Sequence, residues 1–600
     1  MKKALRAGLI LVIALCAAFL VPTLWFKPWF INHFYTRVFL EFALRRPMLL
    51  SQLRILEPLG LDFHSDDLDD ASVEFELEEA KWLDRQRGIL RSYGRASMSA
   101  SDGLSYDALE WYMADAQELN RFMFYDYPVN QMGGVQTTLP EFMTDTHQIN
   151  NSGDAEDYLD RLSKFGVFFD QVIEGLRHRE KVGIVPPRFV VEKSLAQMTR
   201  FVAEPPISNP LYTHFKTKVD ALSDVDAEER AEMLERAQET IGGTVYPAYA
   251  RLAEYCGHLA QVANAEDGVW RFPDGKPFYQ QLLRHHTTTN MTPDEIHQLG
   301  LAEVSTLQSE MRAILNAQGI PSEDVGASMA ALSLDPRFLY PETDDGRQQL
   351  LTDFQRIVDD VDRNLGSLFN LRPKIGVKVE RMQLFREADA PSAYYDPPPF
   401  DGSKPGTFYV NLRTVKLHPK FGMRTLAYHE AIPGHHFQIT IAQELTGVPF
   451  FRKVIPFSAH VEGWALYAER LAAEHGFEDD PYDRLGYLTS QLFRAVRLVV
   501  DTGIHSKRWT REQAIEYMLK NTGMPESDVV SEIERYIVLP GQACAYEVGQ
   551  LKILQLREQA QKRLGPKFDL REFHRVLLSN GALPLTVLER LVDEWITSRT

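Results

Sequence analysis

The chain has 600 residues, of which 44% are hydrophobic and 25% are charged, as is usual for a soluble globular protein. This length exceeds what one compact core accommodates, so we expect two or more lobes. The formal net charge of -18 argues against a nucleic-acid partner, because an acidic surface repels phosphate backbones.

The N-terminal segment, residues 1–30, has the pattern of an export signal or a membrane anchor. A basic start with Lys2 and Lys3 precedes an apolar stretch over residues 7–26, which is about long enough to span a bilayer. The basic flank predicts that the remainder is exported to the periplasmic side of the inner membrane. We interpret residues 7–26 as an anchor; a cleaved signal, or a lipoprotein modified at Cys16, are the alternatives. Membrane contact is expected only through this segment.

The body of the chain is predicted to be mainly α-helical. Apolar residues recur at helical spacing over residues 154–176. Two helix starts carry capping signals, Thr292 before Pro293 and Thr510 three residues before Gln513. We divide this body into an N-terminal helical lobe over residues 31–275 and a second helical lobe over residues 276–600.

Strand signals are confined to one region of the second lobe. Residues 374–382 alternate in polarity, and residues 406–412 are rich in β-forming residues. The intervening residues 391–405 contain five prolines and read as a long loop. We expect these two strands to form a small antiparallel β-sheet near the functional site described next.

A histidine-rich stretch, HEAIPGHHFQ, follows the second strand and begins at His429. Zinc peptidases commonly use His-Glu-x-x-His on a helix, where the two histidines share one face and the glutamate acts as general base. Here His435 lies six residues after His429, which on a straight helix turns it away by about 240° and raises it by about 9 Å. His436 returns to the same face but lies about 10.5 Å along the axis.

A break in this helix is therefore required if two histidines are to bind one zinc ion. Pro433 has no N–H and Gly434 tolerates unusual backbone angles, so the pair favours a bulge that returns a histidine to His429. Geometry alone does not choose between His435 and His436. The contrary interpretation is a broken helix with unrelated histidines, although this combination of residues is rare by chance.

A second helix, over residues 458–476, offers the third ligand. Glu462 lies near its start, and His2Glu is an established catalytic zinc set. Glu469 shares the face of Glu462, and His460 is close to it in sequence. A glutamate near a helix start is also common because it interacts favourably with the helix dipole, so the alternative is that Glu462 has only this structural role. Ser458 is the expected N-cap.

Several stretches together resemble the bacterial family known as domain of unknown function 885, which is grouped with zinc metallopeptidases related to the gluzincins. HExxPGH followed by EGWALYAE is specific in combination. The resemblance covers nearly all of the chain beyond the N-terminal segment. It rests on YPVNQMGG, DAEDYLDRL, YYDPPPFDGSKPGTFYVNL, HEAIPGHHFQ, EGWALYAE, RLVVDTGIHSKRWT and PGQACAYEVGQLKI.

The resemblance implies a mainly α-helical, two-lobed peptidase-like fold with a deep cleft. It implies one zinc ion per chain, held by His429, His435 and Glu462, with Glu430 as general base. The expected reaction is hydrolysis of peptide bonds in oligopeptides. The oligomeric state and the natural substrate are not indicated.

Two further residues are candidates to stabilise the oxyanion of such a reaction, Tyr546 and His505. Tyr546 is a candidate by analogy with related peptidases, and the simpler interpretation is that it is a tyrosine of the core. His505 follows Asp501 by one helical turn, so the acid could orient the imidazole, or the two could form a structural pair. Two other functions stay open: an exported zinc hydrolase of a non-peptide amide, and a non-catalytic, metal-stabilised binding protein. Glu430 disfavours the last, since a structural zinc needs no base.

Overall fold

The computed structural model describes residues 18–384, 387, 391–400, 402 and 404–600. The chain divides into two compact units, one ending at Glu266 and one spanning Asp267–Thr600. Both consist mainly of α-helices, as predicted. The arrangement of two lobes around a deep cleft stays a prediction.

Most of the predicted anchor, and Cys16 with it, lies outside the described residues. None of the helices in the described part of the chain is both long and apolar enough to span a bilayer.

The first unit contains ten α-helices for which both ends are described. They are α1 (Ile31–Leu44), α2 (Pro47–Leu53), α3 (Val73–Arg91), α4 (Ala100–Leu119), α5 (Val135–Glu141), α6 (Ser152–Lys181), α7 (Arg188–Phe201), α8 (Pro210–Asp220), α9 (Ala227–Thr240) and α10 (Tyr246–Val262). The predicted helix over residues 154–176 lies within α6, and the apolar residues that predicted it are in the core of this unit.

The second unit contains fourteen α-helices among the residues described. They are α11 (Gly275–Thr287), α12 (Pro293–Ala317), α13 (Val325–Ser333), α14 (Asp344–Asn364), α15 (Lys420–Glu430), α16 (His435–Glu444), α17 (Phe451–Val454), α18 (Ser458–Glu474), α19 (Pro481–His505), α20 (Arg511–Thr522), α21 (Glu526–Val538), α22 (Ala545–Leu564), α23 (Leu570–Leu578) and α24 (Leu585–Arg599).

The capping predictions are confirmed at two of three helix starts. Thr292 and Glu295 form a reciprocal capping box at α12, and Thr510 and Gln513 form another at α20. At α18 the prediction was wrong: Ser458 is already helical, and its position as N-cap is taken by Phe457, which provides no side-chain cap.

The sheet has three strands: β1 (Val377–Arg381), β2 (Ala393–Asp396) and β3 (Gly406–Val410), in the order β1-β3-β2. The two predicted strands exist, but the expectation that they pair antiparallel was wrong, because β1 and β3 run parallel. The reason is β2, which lies inside the predicted loop and pairs antiparallel with β3 on its other edge. The chain reverses once into β2 and again into β3, so β3 regains the direction of β1.

Helix α18 lies at the centre of the second unit and packs against α15, α16, α19 and α22. Its contact with α22 is unusually close, because glycines face each other. A Cβ atom on Gly549 would lie 1.9 Å from the carbonyl oxygen of Ala459, and one on Gly463 would lie 2.4 Å from the carbonyl carbon of Gly549. The two backbones therefore touch, and α22 is positioned directly against the start of α18.

We predict that Gly549→Ala destabilises the protein by about 2–3 kcal/mol, because the new methyl group meets helical backbone that cannot move away. The measurement is urea unfolding followed by circular dichroism. The control is Gly257→Ala on α10, where a Cβ atom meets no atom within 4 Å; in a helix interior that change is expected to be neutral or stabilising by up to about 1 kcal/mol. Equal unfolding midpoints for the two variants would contradict the close packing of α18 and α22.

Candidate metal centre

The helix that carries His429 ends at Glu430, as the Pro-Gly pair predicts. Ala431 leaves the helical conformation, and the Ile432–Pro433 peptide bond is cis. The next helix, α16, begins at His435. The six-residue spacing is thus divided between two helices, and the straight-helix geometry that separated the histidines does not apply.

Gly434 is the residue that allows the chain to fold back on α15. A Cβ atom at this position would lie 1.9 Å from the carbonyl oxygen of His429 and 2.3 Å from that of Tyr428. Only glycine fits so close to this backbone. As a result the His435 ring lies beside the His429 ring, with the ring centroids 4.7 Å apart.

Helix α18 fixes this turn from the other side. Trp464 is fully buried, and its indole Nε1–H donates a hydrogen bond of 2.9 Å to the carbonyl oxygen of Pro433. The same helix supplies Glu462, which faces both histidines. Trp464, which holds the turn, and Glu462, the third candidate ligand, therefore lie two residues apart on one helix.

The three side chains meet at one point. Glu462 Oε2 lies 3.4 Å from His435 Nε2 and 3.7 Å from His429 Nε2, and one ligand atom from each residue lies within 4.8 Å of the other two. Tetrahedral zinc with bonds of about 2.0–2.2 Å places its ligand atoms roughly 3.4 Å apart. The spacing of this cluster therefore suits a single divalent ion.

Glu462 Oε2 is also buried without a hydrogen-bond partner among the described residues. A buried carboxylate oxygen that receives no hydrogen bond is costly unless a cation compensates its charge. The donor set, two imidazoles and one carboxylate, matches that of known catalytic zinc sites. These residues fit a zinc ion in both spacing and chemistry.

Glu469 holds His429 in position from behind. Its Oε1 lies 2.7 Å from His429 Nδ1, which directs Nε2 of the same ring toward Glu462. Its Oε2 accepts hydrogen bonds from Ser490 Oγ at 2.8 Å and Gln491 Nε2 at 3.0 Å. A carboxylate that binds the outer nitrogen of a ligating histidine is the usual way in which a metal site fixes the tautomer. The sequence alone shows only that Glu469 shares the helix face of Glu462.

The electrostatics of the cluster are those of a site prepared for a cation. Burial by itself lowers the pKa of His429, but the carboxylates of Glu462 and Glu469 outweigh it and raise the pKa to about 9. Burial raises the pKa of Glu462, but the two imidazoles hold it well below its usual value. Glu430, the buried last residue of α15, adds its charge to those acting on His429.

His436 and His460 point elsewhere. His436 Nδ1 lies 2.9 Å from Tyr395 Oη on β2, so this ring faces the sheet and only His435 joins the cluster. His460 Nδ1 accepts a hydrogen bond of 3.3 Å from the backbone N–H of Leu583. Burial lowers the pKa of each of these two histidines to about 4, which suits neutral core residues.

The structure separates the two oxyanion candidates by their surroundings. Tyr546, at the start of α22, is partly exposed, and the Arg497 guanidinium lies 4.6 Å from the centre of its ring. His505 is buried; its Nδ1 accepts a hydrogen bond from the backbone N–H of Val269, and its Nε2 lies 3.0 Å from the carbonyl oxygen of Tyr536. Both nitrogens of His505 are thus engaged by backbone, so neither is available to a substrate in this conformation.

Asp501, which the sequence offered as the partner of His505, has other partners. Its carboxylate accepts hydrogen bonds from Tyr279 Oη at 2.6 Å and from the backbone N–H of Gly541 at 3.0 Å. Asp501 and His505 lie one helical turn apart, but each makes its own contacts with other parts of the chain.

Comparison with protein families gives one match that covers most of the chain. The family described as "Bacterial protein of unknown function (DUF885)" matches residues 56–592. The chain belongs to the DUF885 family. The family resemblance inferred from the motifs is thereby confirmed.

Two solved structures resemble this DUF885 protein over most of its length. One is "the putative lipoprotein from Colwellia psychrerythraea", with 35% sequence identity and a TM-score of 0.90; the match covers 94% of this chain and 99% of that chain. The other is "a putative lipoprotein of unknown function from Shewanella oneidensis", with 18% identity, a TM-score of 0.71, and coverage of 93% and 98%. At the lower identity the likeness shows the fold alone. No curated protein matches the chain.

The raised pKa of His429 predicts how the stability of the metal-free protein depends on pH. Because the folded pKa of about 9 exceeds the unfolded value of about 6.5, protonated His429 stabilises the fold below pH 6.5. This contribution, on the order of 3 kcal/mol, is lost as the pH rises through 9. Urea unfolding of chelator-treated protein between pH 6 and 10 should show a steeper loss for wild type than for His429→Gln. Parallel pH profiles would contradict the assigned environment of His429.

Proposed function

We propose that this DUF885 protein is a zinc-dependent peptidase that binds one zinc ion per chain through His429, His435 and Glu462. The observation that carries the proposal is the buried Glu462 Oε2, which faces two imidazole nitrogens and has no hydrogen-bond partner among the described residues. Three protein ligands leave one coordination position of a tetrahedral ion for water or substrate, which is the pattern of catalytic sites. The relation to the gluzincins, with a deep substrate cleft, is part of this proposal.

When bound, zinc supplies Lewis-acid activation of a water molecule and of the scissile carbonyl group. The chain supplies the proton transfers. Glu430 directly follows the ligand His429 and is buried, so it is the base that accepts a proton from the attacking water. The new C–O bond forms in that step, and Glu430 then delivers the proton to the leaving amine as the C–N bond breaks.

Tyr546 is the donor that we propose for the developing oxyanion. Its support is positional: it lies one helical turn before Gly549, whose backbone contacts α18 beside Glu462. His505, the other candidate, has both ring nitrogens engaged by backbone. The proposed mechanism therefore uses Tyr546 alone.

We also propose that the protein is exported and anchored on the periplasmic side of the inner membrane. The support is the basic start followed by the apolar stretch over residues 7–26. The protein of similar structure at 35% identity is described as a "putative lipoprotein", which fits an exported location. Loss of membrane association on deletion of residues 7–26, compared with substitution of Cys16, distinguishes an anchor from lipid modification.

The first test of function is Glu430→Gln in the purified full-length protein. We expect wild type to contain one zinc per chain and to cleave a mixed peptide library in a chelator-sensitive manner. Glu430→Gln should retain zinc and fold but lose hydrolysis by a factor of at least about 10²–10⁴, since it removes the general base. An active Glu430→Gln variant would exclude this residue as the base. Zinc without peptide cleavage in wild type would instead favour a non-peptide amide or a binding role.

The second test concerns the ligands and is read by metal analysis and competitive chelation. Glu462→Ala should lose zinc, because two histidines alone hold it poorly. Glu469→Gln should retain zinc but weaken its affinity by about 10–100-fold, the usual effect of removing an outer carboxylate. The control is Glu558→Ala, an exposed glutamate of α22 whose side chain is 62% accessible. Unchanged zinc content in Glu462→Ala would move the third ligand to another residue.

A further inference from the structure

Two arginines of the second unit share a single carboxylate. Glu532 Oε2 accepts hydrogen bonds from Arg497 Nη2 at 3.1 Å and from Arg535 Nη2 at 3.3 Å. Tyr536 Oη donates to the same oxygen and accepts from Arg497 Nε at 2.9 Å. Arginine stays protonated in proteins, so two cations face one anion and the group carries an excess positive charge.

Neither guanidinium is fully paired by this arrangement. Arg497 Nη1 and Arg535 Nε are buried and have no hydrogen-bond partner among the described residues. Arg497 as a whole is only 5% exposed. Buried donors of a charged group are normally satisfied, and leaving them unpaired destabilises the fold. The unpaired donors therefore point to an anionic ligand.

Asp501 is another acid near the two arginines, and it does not supply the negative charge that they lack. Arg535 contributes to its electrostatic environment, but the carboxylate binds Tyr279 Oη and the backbone N–H of Gly541. Burial raises the pKa of Asp501 to about 7, so near neutral pH it carries only part of a charge. The excess positive charge of the two arginines remains.

The arginine pair is connected to the candidate metal centre through α19. Ser490 and Gln491, which hold Glu469, lie on this helix about two turns before Arg497, or roughly 10 Å along its axis. The Tyr546 ring lies 4.6 Å from the Arg497 guanidinium, and the helix of Tyr546 contacts α18 at Gly463, next to Glu462. A few extended residues of a peptide cover such a distance.

A ligand can reach the Arg535 side of this group from solvent. The Arg535 side chain is 19% exposed and that of Glu532 is 23% exposed, while Arg497 forms the buried end of the group. The Glu462 side chain at the metal centre is exposed to a similar degree, 19%. Both groups are thus recessed but open.

We propose that Arg497 and Arg535 bind the free C-terminal carboxylate of the peptide substrate. This inference rests on the proposed peptidase function and makes the enzyme an exopeptidase that removes a short segment from the C-terminus. A carboxylate carries the single negative charge that the group lacks, and its two oxygens match the planar donors of a guanidinium. The chain end, held here, sets which peptide bond reaches the metal centre.

The test compares two N-acetylated peptides of one sequence, one with a free C-terminal carboxylate and one with a C-terminal amide. We expect kcat/KM of the zinc-loaded wild type to be at least about tenfold higher for the acid, because charge-assisted hydrogen bonds are lost in the amide. Arg535→Gln should bring this ratio close to one. Arg571→Gln, which removes an exposed guanidinium on α23, should keep the wild-type ratio. Arg535→Lys, which retains the charge but not the planar donors, should be intermediate and serves if Arg535→Gln does not fold.

The possible failures are distinguishable. Chelator-sensitive cleavage of acid and amide at equal rates would overturn the carboxylate site while leaving the peptidase proposal intact. If neither peptide is cleaved, the peptidase proposal fails. The carboxylate site is then tested separately, by calorimetric binding of an N-acetylated tripeptide to chelator-treated protein. Acid-selective binding that Arg535→Gln abolishes would support the site without any contribution from a metal; binding that ignores the C-terminal group would overturn it.

Discussion

The backbone contact between Gly434 and the His429 carbonyl is the constraint on which the candidate metal centre depends. A Cβ atom on residue 434 would lie 1.9 Å from that oxygen and would clash with it. Because glycine permits the approach, two short helices replace one straight helix, and their histidines meet. The bond from Trp464 to the Pro433 carbonyl then ties the turn to α18. A site of this kind requires its ligands on rigid elements, and here the turn itself is made rigid.

Helix α18 performs a different task on each of its faces. Glu462 and Glu469, two turns apart, face the histidines as candidate ligand and as orienting carboxylate. Gly463 leaves room for the backbone of α22, which brings Tyr546 toward the same end of the helix. The ligands of a metal site are usually held in place by hydrogen bonds from several surrounding residues. In this protein one helix provides most of them, so a change in its packing is felt at the ligands, the turn and Tyr546 together.

Much of this site could be predicted from local sequence, and what failed depended on contacts between distant residues. The His-Glu pair, the helix break at Pro433-Gly434 and the candidacy of Glu462 follow from residue types and spacing. The choice between His435 and His436 does not, since it depends on how α16 is rotated against α15. The position of Glu469 behind His429 depends on Ser490 and Gln491 of another helix. Likewise Asp501 pairs with Tyr279, far away in sequence, and not with the histidine one turn beyond it.

The predicted strand direction in the sheet was wrong for a related reason. A strand of four residues between prolines, β2, has too little alternation to be recognised, yet it decides that β1 and β3 run parallel. Fold class was predictable because helical periodicity accumulates over long segments such as α6. Strand direction was not, because it depends on a short element and on the path of the chain around it.

The candidate metal centre and the arginine pair carry opposite charges. The metal centre gathers carboxylates, with Glu430, Glu462 and Glu469 around His429, and so favours a cation. The arginine pair, with Arg497 on α19 and Arg535 on α21, gathers the opposite charge and favours an anion. A peptide end fits this polarity, because its carboxylate would be drawn to the arginines and kept away from the acidic residues around the metal ligands. A chain with a net charge of -18 repels acidic ligands in general, so a local pair of buried arginines is what would let it accept one.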